Sequence, residues 1–560
     1  MLNKISNQDE AGNPIQSTNE AGHKKSTSKI NSIEEFANSD VELASLDPDA
    51  FLKLPYPYEN WIDPPVKELT DDQKDRLEHS LDGLSAISIA KPKSENEKEE
   101  LVAKFLSGLQ KLLDKENNWT FIQPLVLSME NCMKCQSCSD ECPIYLSSGR
   151  EEIYRPIFRG EVLRRIINKY LKPGGKFFSK ITGSDIDLNW NTVARLAELS
   201  YRCTLCRRCA QACPIGVDNG LITREIRKLI SQELGLAPEE LHASGTVKQL
   251  KTGSSTGTNP TAMLDIVDFI EEDMKDLYGL DIKMPIDKEG SDILLIHNFG
   301  EYLSWPENIM AFAIIFEKAG LSWTFSSQMG GYDSVNYGLF YDDVQLSRIA
   351  LEHVRIARNL GVKKIVMGEC GHAHKSLMPI ADRIFVEGNN IHRESAFPLL
   401  EEIVFSGKIK FDPGRNNFPV TLHDPCNVVR AMGIVEPQRR ILRKLCPQFV
   451  EMEPHGVRNF CCGGGSGFAI FQGKNFPEWR NKISFRMKFK QVLDAFHNDI
   501  DPSIHKYVCA PCSNCKGAFR DGLTYYNAFE KCGIIYGGLV ELIVNAMEDL
   551  ETPFIQWELK

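Results

Sequence analysis

KKIVMGEC, residues 363–370, is a short apolar run that ends on glycine, an acid and a cysteine. A run this short, closed by turn residues, suits a strand buried inside a parallel sheet. It does not stand alone. DILLIH (292–297), PENIMAFAIIFEKAG (306–320), WTF (323–325) and DVQLSRIALEHVRIARNLG (343–361) precede it, so short β-like runs alternate with helical periodicity. The grammar restarts at PVTLHDPC (419–426), passes through EPQRRILRKL (436–445) and WRNKISFRMKFKQVLDAF (479–496), and reaches KYVCAPC (506–512). Strand–helix alternation predicts parallel sheets with covering helices. The similar strand ends, GEC and CAPC, suggest an internal duplication into halves at 289–415 and 416–560.

Upstream the chain reads differently. Residues 1–48 are polar, with Phe36 the only aromatic among the first 45, and are expected to form a disordered tail. Residues 49–120 open with FLKLPYPYENWIDPP (51–65) and continue with helical patterns in TDDQKDRLEHSLDGL (70–84) and EKEELVAKFLSGLQKLLDK (97–115). They suggest an N-terminal arm or helical adaptor that lies on another subunit. Residues 121–250 hold two cysteine runs separated by helices in EVLRRIINKYLK (161–172) and NTVARLAELSYR (191–202). Residues 251–288 begin with KTGSSTGTNPT (251–261), which reads as a flexible break before a helix.

Composition narrows the function classes. A net charge of −11 argues against a nucleic-acid surface. The longest apolar run, Ile309–Phe316, is far short of the roughly 18 residues that span a bilayer, so no own transmembrane segment is expected. The N-terminal residues lack the apolar core of a signal peptide. The expected location is cytoplasmic, peripheral on the cytoplasmic side of the inner membrane through a partner subunit. Seventeen cysteines in such a chain point to metal rather than disulfides.

CMKCQSCSDECP (132–143) and CTLCRRCAQACP (203–214) both read C-x2-C-x2-C-x3-C-P, the spacing of two-cluster ferredoxins. Three cysteines wrap one face of a [4Fe–4S] cube, and the fourth reaches the cluster of the other motif. The expected sets are Cys132, Cys135, Cys138 with Cys213, and Cys203, Cys206, Cys209 with Cys142. Two zinc sites are the competing reading, which the repeated eight-cysteine spacing disfavours. Lys134, Arg207 and Arg208 either tune these clusters or are solvated charge.

NFCCGGGSGF (459–468) places two cysteines side by side on a loop almost free of side chains. With Cys426 at one strand end and Cys509, Cys512 and Cys515 in VCAPCSNCK (508–516), it gathers sulfur where α/β sheets carry out chemistry. The pattern C-x34-C-C-G followed by C-x-x-C resembles the CCG cysteine-rich domain of heterodisulfide-reductase subunits, the HdrD-like family. The resemblance implies an unusual, open [4Fe–4S] cluster on Cys426, Cys461, Cys462, Cys512 and Cys515. Cys509 is an extra thiol, an alternative ligand or a reserve. The first half holds only Cys370, in MGECGHAHK (367–375), and looks like a degenerate copy whose loop lines the catalytic one. His372 and His374 there are candidates for proton transfer, with structural histidines the alternative. His423 and Asp424 are candidates to orient the loop or supply a proton. Cys446 and Cys532 read as core cysteines.

The wording around the motifs, WTFIQPLVLSMENCMKCQSCSDECPIY (119–145), GREEIYRPIFRGEVLRR (149–165) and QMGGYDSVNYGLFYDD (328–343), is similar to DsrK-type catalytic subunits of DsrMKJOP membrane redox complexes. That resemblance implies a fold of α/β plus α-helical type: a two-cluster ferredoxin-like helical domain followed by two CCG-type α/β domains. It implies three [4Fe–4S] clusters and a heterodisulfide-reductase-like oxidoreductase acting on a sulfur group. The expected partners are DsrM, a cytochrome b membrane protein linked to the menaquinone pool, the further components DsrJ, DsrO and DsrP, and DsrC as protein substrate. The reaction would be reduction, or in reverse oxidation, of a disulfide or trisulfide on the C-terminal cysteines of DsrC. A heterodisulfide reductase subunit for small thiols and an electron-transfer subunit of a lactate or glycolate oxidase are the alternatives.

Overall fold

The computed structural model describes residues 33–557, apart from 34, 39, 78, 115, 117–121 and 381–390. Its second part contains two parallel sheets of four strands. The first holds β1 (Ile293–Ile296), β2 (Trp323–Thr324), β3 (Lys364–Met367) and β4 (His392–Ser395) in the order β2-β1-β3-β4. The second holds β5 (Val420–Leu422), β6 (Phe449–Val450), β7 (Lys506–Cys509) and β8 (Ile534–Gly537) in the order β6-β5-β7-β8. The same order occurs twice, with Leu294 beside Ile365 in one sheet and Thr421 beside Val508 in the other. The central strands are buried along their length because helices cover both faces, which is why they read as continuous apolar runs. The apolar run Ile309–Phe316 is one such cover, inside the helix Pro306–Lys318.

The helical domain before them is built around the helix Asn219–Leu234. Asp218 caps its start by accepting from Leu221 N, and Gly235 ends it at φ 70°. The helices Glu95–Leu113, Pro156–Ile166 and Trp190–Ser200 pack on it. The chain is therefore a helical domain followed by two α/β halves.

Four local expectations need correction. Residues 1–32 of the expected tail lie outside the described residues, but Ile33, Phe36, Leu43 and Ala44 are buried, with the Phe36 ring against Phe158. Few apolar residues suffice when each finds a pocket. The arm does not wait for a separate partner: Tyr58 donates to Tyr526 O, Asp63 pairs with Arg486 at 2.7 Å, and Ala86 N donates to Lys474 O. Among the described residues of TDDQKDRLEHSLDGL only Asp71–Asp75 are helical, and farther on Asp82 shapes a turn by accepting from Leu84 N and Ser85 N. The stretch 251–261 is not a loose break. Asp333 accepts from Ser254 Oγ, Ser255 N and Ser255 Oγ, and Tyr332 donates to Thr252 O and Thr258 O.

Candidate metal centre

In an order of this kind the chain reverses direction between the two central strands, and a crevice opens at their carboxyl ends. In the second sheet that crevice lies between β5 and β7. β5 runs into His423 and the turn to Cys426. β7 runs into Cys512, at the N-cap of the helix Ser513–Tyr525, with Cys515 in its first turn. The loop after β6 brings Cys461 and Cys462 as the third wall. Cys462 Sγ lies 3.2 Å from Cys515 Sγ, and His423 Nε2 lies 3.2 Å from Cys515 Sγ. His423, Cys462 and Cys515 present ligand atoms within 4.8 Å of one another, all buried. Cys461 contacts both Cys426 and Cys462.

Backbone amides point at these sulfurs. Gly463 N and Gly464 N approach Cys461 Sγ and Cys462 Sγ at 3.4 and 3.5 Å, and Gly371 N, from the first half, approaches Cys512 Sγ at 3.3 Å. The glycines are sterically required. Gly463 has φ +79°, and a Cβ there would fall 2.6 Å from the Ser484 carbonyl; one on Gly464 would fall 2.6 Å from Ala518 Cβ. Gly463→Ala is expected to cost about 2–5 kcal/mol from strained backbone and overpacking. A fall in the urea midpoint together with a loss of iron checks it; an unchanged midpoint would refute the close approach.

The thiols share charge unequally. Hydrogen bonds from Cys461 and then Cys515 hold Cys462 well below the usual thiol range, and Cys515 does the same for Cys512. Burial, followed by the contacts with Cys462 and Cys512, drives Cys515 up. Lys488, fully buried, donates to Asn459 and Gln491 and has its pKa pushed down to about 7 by burial. Asp424 is held by Arg439 through two contacts of 2.8 and 2.6 Å and accepts from Gly456 N, so it shapes the loop. Four buried free thiols with convergent N–H groups form a donor set that fits an iron–sulfur cluster.

Cys509 stands apart from this set. It ends β7 on the sheet face opposite Val508 and packs with Cys446, whereas Val508 packs with the cluster cysteines. It is a core cysteine. Cys370 is buried beside Cys512. His372 Nδ1 meets Asn514 Nδ2 at 2.6 Å, and burial pushes its pKa down to about 4. His374 does not join the sulfurs. Its nitrogens engage Cys370 O and Ser395 Oγ at 2.8 Å, its ring stacks on Phe397, and burial pushes its pKa to about 4 as well.

The two ferredoxin-type motifs share a backbone pattern. Lys134 and Gln136 in the first, and Leu205 and Arg207 in the second, all have positive φ, which curls each loop around its cysteines. Cys138 has its pKa pushed up to about 12 by burial and then by Cys132, Cys142, Cys213 and Cys135. Cys142 neighbours Cys206 and Cys203 as well as Cys138, so both fourth cysteines, Cys142 and Cys213, lie where the two motifs meet. Lys134 pairs with Glu161 at 2.8 Å, Arg207 with Asp218 at 2.6 Å, and Arg208 with Glu141 at 2.6 Å.

Of the residues that join these centres, the sequence reading gave no role to Arg430 and left Arg208 between cluster tuning and solvated charge. Arg430, four positions after Cys426, donates to Cys206 O at 2.6 Å and to Val457 O and Asn459 O at 2.9 Å. Arg208 lies 3.7 Å over the Phe460 ring and donates to Arg458 O. The Cys206 and Cys461 thiols are electrostatic neighbours. The only signal in the sequence was the basic charge beside each cysteine run.

The domain matches agree with this geometry. Residues 128–217 match a 4Fe-4S dicluster domain, and residues 420–520 match a cysteine-rich domain, CCG. The matched domains make the chain an iron–sulfur protein, and its sequence is similar to heterodisulfide-reductase-type subunits. It is 27% identical to an Hdr-like menaquinol oxidoreductase iron-sulfur subunit 2 of Archaeoglobus fulgidus, over 79% of this chain and 83% of that protein. It is 22% identical to a dihydromethanophenazine:CoB–CoM heterodisulfide reductase subunit of Methanosarcina barkeri, over 77% and 96%. An EtfAB:quinone oxidoreductase of Syntrophomonas wolfei is 20% identical over 76% of this chain and 59% of its own length. These relatives are oxidoreductases. No helix among the described residues is long and apolar enough to cross a membrane.

Proposed function

We propose that this chain is the DsrK-like catalytic subunit of a quinone-linked membrane redox complex, and that it reduces, or in reverse oxidises, a cysteine-based S–S bond. The convergence of Cys461, Cys462, Cys512 and Cys515, with Cys426 beside Cys461 and Cys206 abutting it, carries this reading. Cys426, Cys461, Cys462, Cys512 and Cys515 would hold a third [4Fe–4S] cluster, added to those of the two ferredoxin-type motifs. When bound, such a cluster supplies single electrons and an iron open to a substrate sulfur.

The chain's own residues lay out a path for electrons. Cys135 is exposed, and the apolar side chains of Leu127, Met133 and Ile215 are exposed around the first motif, which suits electron entry from a cytochrome b partner such as DsrM. The second motif touches the catalytic cysteines through Cys206 and Arg430. Cleaving R–S–S–R′ takes two electrons and two protons and releases two thiols. Gly371, Gly463 and Gly464 donate to the sulfurs, and the buried Lys488 holds Asn459 and Gln491 at the foot of the loop.

The substrate in this reading is the disulfide or trisulfide on the C-terminal cysteines of DsrC, with DsrJ, DsrO and DsrP as further components of a cytoplasmic-side membrane assembly. The test is reoxidation of the dithionite-reduced protein. Oxidised DsrC is expected to reoxidise the clusters and restore their visible absorption within seconds, with two thiols released per two electrons from the disulfide form. A small-thiol heterodisulfide acting equally well would overturn the protein substrate. Electron transfer to a quinone partner with no S–S cleavage would favour a relay role, as the similarity to the EtfAB:quinone oxidoreductase suggests.

A further inference from the structure

The helix Pro156–Ile166 runs on through Ile167–Leu171 and ends in a short second helix, Gly175–Ile181. This helix inverts the usual arrangement, in which bulk faces the core. Its buried positions are Gly175 and Ser179. Its large side chains face out: Phe177 is 66% exposed, Phe178 59% and Ile181 67%. The helix is held in that attitude. A Cβ on Gly175 would fall 2.0 Å from Asn168 O, so only glycine allows the contact with the preceding helix. Ser179 Oγ donates to Asp185, and Thr182 Oγ1 donates to Phe178 O at 3.0 Å.

Lysines ring the apolar tip. Lys172, Lys176 and Lys180 are exposed. None of the three forms an ion pair among the described residues. The carboxylates at the base of the hairpin, Asp185 and Asp187, are both taken by Lys169, at 2.7 and 3.1 Å. The tip is therefore aromatic and aliphatic at its centre and cationic at its rim.

From this we infer that residues 172–181 insert into the interface of a membrane rich in anionic phospholipid, with Phe177, Phe178 and Ile181 among the acyl chains and Lys172, Lys176 and Lys180 on the headgroup phosphates. The composition favours lipid over a protein partner, because lysine is depleted in protein–protein interfaces and enriched at anionic membrane surfaces. The position is consistent with electron entry. Glu161, which pairs with Lys134 of the first cysteine motif, lies on the helix that carries the hairpin, about 15 Å along its axis from its end at Leu171. Lipid binding by these exposed side chains is independent of the redox centres, so its failure would leave the redox reading untouched.

The test is co-sedimentation of the full-length, cluster-loaded protein with phosphatidylcholine vesicles, with and without phosphatidylglycerol. Binding is expected to be about a hundredfold tighter to the anionic vesicles, the effect of three lysines at a charged surface. The variant Phe177→Ser/Phe178→Ser/Ile181→Ser is expected to lose binding while its visible absorption spectrum stays that of the parent. Lys172→Gln/Lys176→Gln/Lys180→Gln is expected to bind both vesicles alike. Failure of the parent to sediment with either vesicle, or unchanged binding by the triple serine variant, overturns the inference. Loss by that variant of a detergent-solubilised membrane partner, with no lipid binding by the parent, would overturn it in favour of a protein interface.

Discussion

Cys462→Ser is expected to abolish S–S reduction and the EPR signal of the third cluster, and to leave both ferredoxin-type signals in place. About four irons per chain should be lost. Cys462 is the informative choice because of where its sulfur sits. It lies 3.2 Å from Cys515 Sγ, receives Gly464 N at 3.5 Å, and is held well below the usual thiol range by Cys461 and Cys515. The thiolate is what binds iron. A serine hydroxyl has a far higher pKa and a shorter reach, and no other side chain can enter the glycine loop to replace it. Cys461 is not equivalent. Its thiol also contacts Cys206, so Cys461→Ser is expected to disturb the second ferredoxin-type cluster in addition to the third. The two variants together separate the catalytic set from the relay. Persistence of disulfide reduction in Cys462→Ser would show that the site assignment is wrong.

The convergence of these cysteines was readable in the sequence where chemistry is written as spacing. The twin C-x2-C-x2-C-x3-C-P runs and the strand-end cysteines need no knowledge of distant contacts, because each loop is shaped by its own residues. The same holds for KKIVMGEC and KYVCAPC, whose apolar runs became the central strands β3 and β7. What escaped depends on partners far along the chain. Cys509 looks like a third member of VCAPCSNCK, yet strand alternation turns it to the other face, and both faces are buried, so no polarity pattern betrays it. The stretch 251–261 has linker composition but is fixed by Asp333 and Tyr332. His374 sits in a motif of cysteine and histidines, yet Ser395 takes its outer nitrogen. The arm at 49–65 carries aromatic residues suited to docking; that they dock on Tyr526 and Arg486 of the same chain could not be read locally.

The largest stability effect is expected at another such long-range pair. Lys516, directly after Cys515, is fully buried and reaches Glu301, also fully buried, at 2.8 Å. Burial alone would raise the Glu301 carboxyl, but the Lys516 charge and then His297, 3.6 Å away, bring it below the usual carboxylate range. Glu301 and Glu369 hold the Lys516 ammonium above its usual range against the same burial. Neither charge has water to fall back on. Lys516→Met is therefore expected to destabilise the protein by about 3–5 kcal/mol, the cost of stranding one buried charge. Glu301→Gln should cost a similar amount. The double variant Glu301→Leu/Lys516→Met should recover most of it, because removing both charges also removes their desolvation penalty. Urea midpoints at constant m-value check the cycle. The sign with pH follows from the two shifts. The depressed Glu301 contributes above its unfolded pKa of about 4.3, and that contribution is lost as pH falls through the folded value; the raised Lys516 contributes below about 10.4, and that is lost as pH rises through the folded value. The difference between the parent and the double variant should thus change below about pH 4 and above about pH 10, and also near pH 7, where Glu369, raised to about 7 by burial and lowered by Lys516, titrates. The pair also ties the helix that bears Cys515 to the first α/β half, beside Ser513 N, which donates to Glu369 O at 2.9 Å. Lys516→Met should accordingly release iron from the third cluster faster than from the other two. Equal midpoints for the parent and Lys516→Met would mean that this ion pair contributes nothing to holding the two halves together.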